Sequence, residues 1–580
     1  MRNEFYIDEN RAIINFTVKY CDSFENILSS KAFEKIFTLF IKKEFRKKSN
    51  NYRNLIKSFK IEDKNKAIET FVKLFKLLSV IELKDIKEFD KKYDYVLSYK
   101  YELIELIEGL YSFWRHLERY SIINSQKIKN GIAEVNFNEA NNRFSKLILA
   151  LYRKIEKNII GEKINVFREI SAGGNACIML NNISYNIPKE YEKLKNIPVI
   201  QKISIQAPFI TYPKKNKRDG IFKEVYENPL QETKIYKEKW FCYPAKVGQL
   251  LAFVYFNRDF ISHGISLCNL FELAGENEYK EKKPDIIYVF GGEEETNFKT
   301  VFFEDKKNNI MLGYANNTKE VDYFGYMKKM ILTLHNLVMI KKEALPIHGA
   351  MVNIILKNGK EANVIIVGDS GAGKSESLEA LRGIGESYIS DMKIIFDDMG
   401  ILMISDEEIK GYGTEIGAFV RLDDLDQGYA FKELDRSIFM NPDKINARLV
   451  MPISNYRDVI KGYKVDMILY ANNYEELNNY EKSIKYFKNK DNAIDVFKEG
   501  KRMSKGTTTE NGIVKSYFAN PFGPLQRKKI IDELLEVYFN KLFIDKIKVG
   551  IIKTQLGIDG MEKKGPQKAA LDLLKELMEN

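Results

Sequence analysis

Cysteine is scarce in this chain and is not organised. Cys21, Cys177, Cys242 and Cys268 are far apart in 580 residues and no two stand in a CxxC pair, which argues against a disulfide scaffold or a structural zinc site and points to a reducing compartment. Long apolar runs are missing too. No segment approaches the roughly eighteen uninterrupted apolar residues that a membrane span needs, and the opening MRNEFYIDENRAIINF lacks a basic stretch followed by an apolar core. A cytoplasmic protein with no membrane partner is expected. Strong charge of one sign is also absent: Lys+Arg 92 against Asp+Glu 81 leaves +11, a surplus that favours anionic ligands in general without singling out nucleic acid. There is no internal repeat and no low-complexity segment of consequence.

What is present is material for several hydrophobic cores. The chain is 44% hydrophobic and 30% charged, the balance of a globular protein, and at roughly 150 residues per domain it should hold about three or four domains. From Phe24 to Ile159 Gly and Pro are nearly absent and apolar residues recur three and four apart. Leu103, Ile104, Ile107, Leu110, Tyr111, Trp114 and Leu117 make one such stripe, so residues 1–160 read as a helical domain able to dock a protein partner. The run Lys42, Lys43, Arg46, Lys47, Lys48 reads as its solvated face. Past Asn165, Gly173-Gly174-Asn175 and several prolines arrive with β-branched runs such as Val199 to Ile205 and Asp285 to Phe290, predicting an α+β domain over 161–342 that closes with a helix from Tyr323 to Lys342. From His348 onward, strand-like runs (Ala350 to Leu356, Asn363 to Val367, Lys393 to Ile404) alternate with helical ones, predicting an α/β or mixed-β domain over 343–580.

The sharpest motif is Gly368-Asp369-Ser370-Gly371-Ala372-Gly373-Lys374-Ser375, which fits GxxxxGK[ST] between an apolar run and a helical pattern. Glycines let the backbone curl so that successive N–H groups face phosphate oxygens. The following helix offers its positive end, Lys374 reaches the outer phosphates and Ser375 coordinates Mg²⁺. A magnesium nucleotide also needs a carboxylate from a neighbouring strand. Asp391 ends one apolar run, while Asp397-Asp398 ends another before Met399-Gly400 and could simply form a turn; both stand as candidates on the residues alone, and only the resemblance below selects Asp391.

Leu345-Pro346-Ile347-His348-Gly349 followed by Gly-Asp-Ser-Gly-Ala-Gly-Lys-Ser-Glu376 resembles two related families. One is the HPr serine kinase/phosphorylase, with its His-Gly strand and GDSGxGKSE loop. The other is phosphoenolpyruvate carboxykinase, which shares the phosphate-binding core and has an upstream manganese-binding His. Tyr323-Phe-Gly-Tyr-Met-Lys328-Lys329 is similar to the carboxykinase segment whose Lys-Lys precedes that His by nineteen residues, as Lys329 precedes His348 here. Asn446-Ala-Arg448-Leu-Val-Met-Pro452, Lys505-Gly-Thr507 to Glu510 with Pro521-Phe522, and Lys553-Thr554 with Asp559-Gly560 follow in the order of the family's own segments. The ordered series favours a carboxykinase-like bilobed core behind the helical region.

The resemblance implies an ATP-dependent decarboxylation and phosphorylation of oxaloacetate to phosphoenolpyruvate. It implies Mn²⁺ held by Lys329, His348 and Asp391, a second metal on the nucleotide, Tyr323 beside the substrate and Arg448 on the γ-phosphate. Where the family has a phosphate-contacting lysine this chain has Ala418, with Arg421 three residues on. The family's Arg-Ser-Pro-Lys substrate loop has no match; Tyr212 to Gly220, with Arg218, and Val166 to Asn175, with Arg168, are two plausible anion-binding loops. Glu376 and the missing lysine keep open a serine or small-metabolite kinase on the same core, and a non-catalytic ATP-binding regulatory protein is a third reading.

Overall fold

The structure, a computed structural model, describes residues 3–46, 64–125, 133–161, 172–182, 185–231, 233–292, 299–422, 434–478, 481–504 and 512–579. The chain is a mixed α/β protein that divides into two compact units, Met1–Asn182 with Ile200–Phe209, and Ile183–Val199 with Ile210–Asn580. The expected borders at 160 and 342 fall elsewhere in this division. No helix among the described residues is long and apolar enough to cross a membrane.

The first unit is not purely helical. Strands β1 (Phe5–Ile7), β2 (Arg11–Asn15), β3 (Glu118–Asn124), β4 (Ala176–Asn181) and β5 (Val199–Ile205) line up in that order, with β2, β3 and β4 parallel. Glu118–Asn124 follows the amphipathic stripe without a break in apolar texture, and periodicity cannot separate a short buried strand from the helix before it. Its five central residues are all buried, as in parallel sheets covered on both faces. Helices α1 (Lys31–Arg46), α2 (Lys64–Leu78), α3 (Lys100–His116) and α4 (Ala133–Ile160) supply the rest of the core. There Phe37 meets Phe71 and Phe75 edge-on, at 5.9 and 5.5 Å between centroids. Leu103, Ile107, Leu110 and Trp114 of the α3 stripe are buried. Lys42 and Lys43 are exposed; Lys47 and Lys48 lie outside the described residues. Arg119 of β3 is buried, and its guanidinium donates to Gly173 O (2.8 Å), Trp114 O (2.9 Å), Leu117 O (3.1 Å) and Arg115 O.

The second unit holds two large sheets. One runs β7 (Trp240–Val247), β8 (Leu250–Asn257), β9 (Ile286–Gly292), β11 (Ile310–Asn316), β10 (Thr300–Asp305) and β6 (Lys223–Val225). The other contains β12 (Leu345–Leu356), β13 (Glu361–Val367), β14 (Ile389–Ser405), β15 (Glu408–Gly413), β19 (Tyr463–Lys464), β20 (Met467–Asn472), β21 (Ile484–Tyr486) and β24 (Lys548–Lys553) in the order β19-β15-β14-β12-β13-β20-β24-β21. A smaller sheet includes β16 (Gly417–Arg421), β18 (Arg448–Pro452) and β17 (Ile438–Met440), and β22 (Lys501–Met503) pairs with β23 (Ile513–Lys515). Helix α5 (Phe324–Lys341) packs against β9 and β11 on one side and β12 and β14 on the other, which is why it reads as apolar nearly all round.

Candidate phosphate and metal-binding site

Strands β13, β20 and β24 are parallel, and their carboxyl ends converge where α/β sheets place ligands. The loop Gly368–Gly373 leaves β13 and enters helix α6 (Lys374–Ile384). Gly373 has φ 89°, and a Cβ there would meet Thr554 Oγ1 at 2.5 Å, so the loop closes only with glycine at this point. Thr554 Oγ1 donates to Ala372 O (2.7 Å) and Asn473 Nδ2 to Gly371 O (2.8 Å), fixing the loop's carbonyls from the two neighbouring strand ends. Lys374 Nζ donates to Asp369 O at 3.1 Å, and Asp369 pairs with Arg502 at 3.0 Å. Ser370 and Ser375 are exposed.

The two consecutive aspartates of β14 divide the work. Ser375 Oγ donates to Asp397, at 3.0 Å to Oδ1, and burial raises the Asp397 carboxyl above its usual range, with Lys374 opposing and Asp398 adding to the rise. Asp398 faces the other way, into a cluster. Lys328 Nζ reaches its Oδ2 at 2.6 Å, Lys329 Nζ lies 2.8 and 2.7 Å from its two oxygens, and His348 Nε2 lies 2.9 Å from Oδ1. Burial works against the Asp398 charge, yet the two ammonium groups hold its carboxyl well below the usual range. Glu415, 3.1 Å from Lys328, is pushed up to about 8 by burial, with Lys328 opposing. For Lys329 burial outweighs the pull of Asp398 and lowers the ammonium.

His348 has its tautomer set from behind. Its Nδ1 lies 2.7 Å from Ala519 O, a carbonyl that can only accept, so Nδ1 carries a proton; Nε2 is turned to the Asp398 carboxylate, to which it donates, and its lone pair is available only when that proton leaves. The carbonyl is presented by two consecutive residues with left-handed backbone, Phe518 (φ 52°) and Ala519 (φ 48°), and Asp398 itself has φ 124°. Three such non-glycine residues around one cluster are backbone strain of the kind that collects at functional sites.

Asp391 does not join this cluster. It is exposed, pairs in register with Ile355, and its carboxylate accepts from Met392 N at 2.9 Å. The reading that ended a strand at Asp391 and turned the chain at Gly400 fails because β14 runs unbroken over 17 residues. Gly400 is a mid-strand glycine, since a Cβ there would lie 2.3 Å from the Phe396 ring. Asp398 takes the place expected for Asp391.

Tyr323 precedes α5 and is buried; burial raises its phenol, and the cations Arg448, Arg218 and Lys328 oppose the rise. Arg448 lies over the Phe419 ring (5.4 Å), while Arg218 lies over Phe222 (5.2 Å) and Phe522 (5.1 Å). Lys329 Nζ is 4.5 Å from the centroid of the same Phe522 ring. The structure thus brings Arg218, of the Tyr212–Gly220 loop that the sequence offered as one of two anion-binding loops, to the Phe522 ring that Lys329 also meets. Arg168 and the Lys505–Glu510 segment lie outside the described residues. Ala418 is buried opposite Met451, whereas Arg421 pairs in register with Arg448, so Arg421 stands on the Arg448 side of that small sheet.

Among the described residues no group of three His, Cys, Asp or Glu side chains could hold a metal; here the third donor is an amine. An imidazole aimed by a carbonyl, a lysine whose ammonium burial disfavours, and a carboxylate held ionised offer two nitrogen donors and one oxygen donor, a set for a divalent transition-metal ion. Ser375 with Asp397 suits Mg²⁺. Compared with known proteins, the chain matches no family model and no curated protein.

Proposed function

We propose that this protein is an ATP-dependent phosphotransferase of the carboxykinase type, forming phosphoenolpyruvate from oxaloacetate with loss of CO₂. The observation that carries the reading is the convergence of Lys329, His348 and Asp398 beside Ser375–Asp397, with the glycine loop completing the nucleotide side. The loop and Lys374 bind the triphosphate at the positive end of α6. Tyr323 and Arg218 hold the acceptor from the opposite side, and Arg448, which the resemblance would put on the γ-phosphate, joins them here because it acts on Tyr323 together with Arg218; Lys328 compensates charge that develops on the acceptor oxygen. A Mn²⁺ held by Lys329, His348 and Asp398 would polarise that oxygen, and a Mg²⁺ on Ser375 and Asp397 would offset phosphate charge. The aromatic rings of Phe419 and Phe522 exclude water from the cations they cover.

Purified protein with oxaloacetate, ATP, Mg²⁺ and Mn²⁺ should release phosphoenolpyruvate, detected by ³¹P NMR, and Lys374→Ala should stop it. No product between pH 6 and 9 rejects the reaction. A second reading, a kinase of a protein serine or small metabolite, is favoured by Asp369 and Glu376 of the loop and by Ala418 facing the apolar side of its sheet. Labelled ATP in lysate would then mark an acceptor only when Lys374 is intact. Stoichiometric ATP binding with neither product would leave a regulatory ATP-binding protein.

A further inference from the structure

Two loops of the second unit carry the same short pattern, Asn216-Lys217-Arg218 and Asn446-Ala447-Arg448. Their asparagines join them. Asn446 Nδ2 donates to Asn216 O at 2.7 Å, and Asn216 Nδ2 donates to Ile445 O at 3.1 Å. Asn441, which is fully buried, donates to Asn216 Oδ1 at 2.5 Å and to Pro213 O at 2.8 Å. Asn441 and Asn446 have φ of 49° and 65°, a conformation asparagine tolerates better than most residues. The opposite flank of the Tyr212–Gly220 loop is tied to the start of α5. Lys215 N donates to Asp322 O at 3.0 Å, Lys214 N to Asp322 Oδ2 at 3.3 Å and Asp219 N to Tyr326 Oη at 3.0 Å. Asp322 is itself held by His263 Nε2 at 3.0 Å.

Among the described residues the hydrogen bonds of this clasp involve no residue of the glycine loop, and Arg218 alone feels that loop, through the charge of Asp369. The clasp's visible effect is on the two arginines, each two residues beyond a clasped asparagine and both near Tyr323. Two guanidinium groups at a fixed separation recognise a pair of carboxylates far better than two on independently moving loops, because the ordering cost is met before binding. We propose that Asn216 is a positioning residue, a latch that sets the spacing of Arg218 and Arg448 so that the pair grips one small dicarboxylate. The inference rests on the acceptor side assigned above to these arginines.

The test is calorimetric titration of the full chain with oxalate and, separately, with ATP and Mg²⁺, so that it needs no turnover. Asn216→Ala should weaken oxalate at least tenfold and leave ATP within twofold. Asn216→Asp, which keeps the acceptor for Asn441 and loses the donor to Ile445 O, should fall between Asn216→Ala and wild type. Unchanged oxalate affinity in Asn216→Ala overturns the latch, and so does an equal loss of both ligands, which marks a merely structural residue. If wild type binds ATP but not oxalate, the acceptor reading of the arginines fails and the latch with it. If it binds oxalate but not ATP, the nucleotide reading fails while a selective oxalate loss in Asn216→Ala still upholds the latch.

Discussion

Arg119 in the first unit and Lys328 in the second are both buried cations, 4% and 0% exposed, and they are accommodated in opposite ways. Arg119 is satisfied by main-chain carbonyls, which accept from its Nε and from one terminal nitrogen; burial pulls its ionisation down to about 10, still charged at any ordinary pH. Lys328 is surrounded by side chains that ionise themselves, Asp398 and Glu415, and burial is outweighed by their charge, so its ionisation is raised. A charge satisfied by the backbone is a fastener. A charge satisfied by a second titratable group, which in turn touches Lys329 and His348, is a balance that a ligand can redistribute.

That contrast can be tested by breaking each member in turn. The largest effect belongs to Asp398→Asn, which removes the carboxylate shared by the buried Lys328 and the half-buried Lys329. Turnover should fall by between about a hundred- and a thousandfold, and stability by about 3 to 5 kcal/mol, read by product assay and by urea unfolding. Next, Arg119→Met leaves several buried carbonyls without donors and should cost about 4 kcal/mol. That loss should be the same at pH 5 and pH 9, because Arg119 stays protonated in both states over this range; a pH-dependent loss would contradict the fastener reading.

A third, smaller effect separates a buried base with no charged partner. Burial depresses His335 to about 4, whereas the unfolded side chain titrates near 6.5. Between those values the unfolded chain takes up a proton that the folded one refuses, so the contribution of His335 is intact above about pH 6.5 and is lost as the pH falls toward 4. The loss should approach about 2.5 kcal/mol at pH 4.5. His335→Phe should flatten that part of the unfolding profile relative to wild type. The smallest effect is expected for Ser375→Ala, about a tenfold loss of magnesium-dependent ATP affinity with binding of metal-free ATP unchanged, measured by titration.

Local pattern carried part of the site in the sequence and chain geometry carried the rest. The glycine loop is a contiguous motif that its spacing alone names, and α5 announces itself by its long apolar run, whereas Lys329 and His348 are named only through the family resemblance. Asp398 could not be selected, because a glycine two residues later looks like a turn until the Phe396 ring is seen to fill the space of its side chain. Arg218 lies about a hundred residues before Tyr323 in a loop without periodicity, and only the asparagine contacts and the Phe222 and Phe522 rings bring it near. The strands of the first unit were hidden for a different reason: Glu118–Asn124 is too short for its two-residue period to stand out against the helix before it.

Helix α5 carries Tyr323 just before its first turn and Lys328 and Lys329 one and a half turns later, and it is gripped by a sheet on either side. The distance between the acceptor end and the metal end is therefore that of a rod that cannot stretch. Divergence toward a new acceptor has to travel through the loops clamped around the rod's near end, at residues 212–220 and 441–448, while the far end keeps its register with the phosphate chemistry. Such a division lets one catalytic engine be refitted for different substrates by editing short surface segments alone.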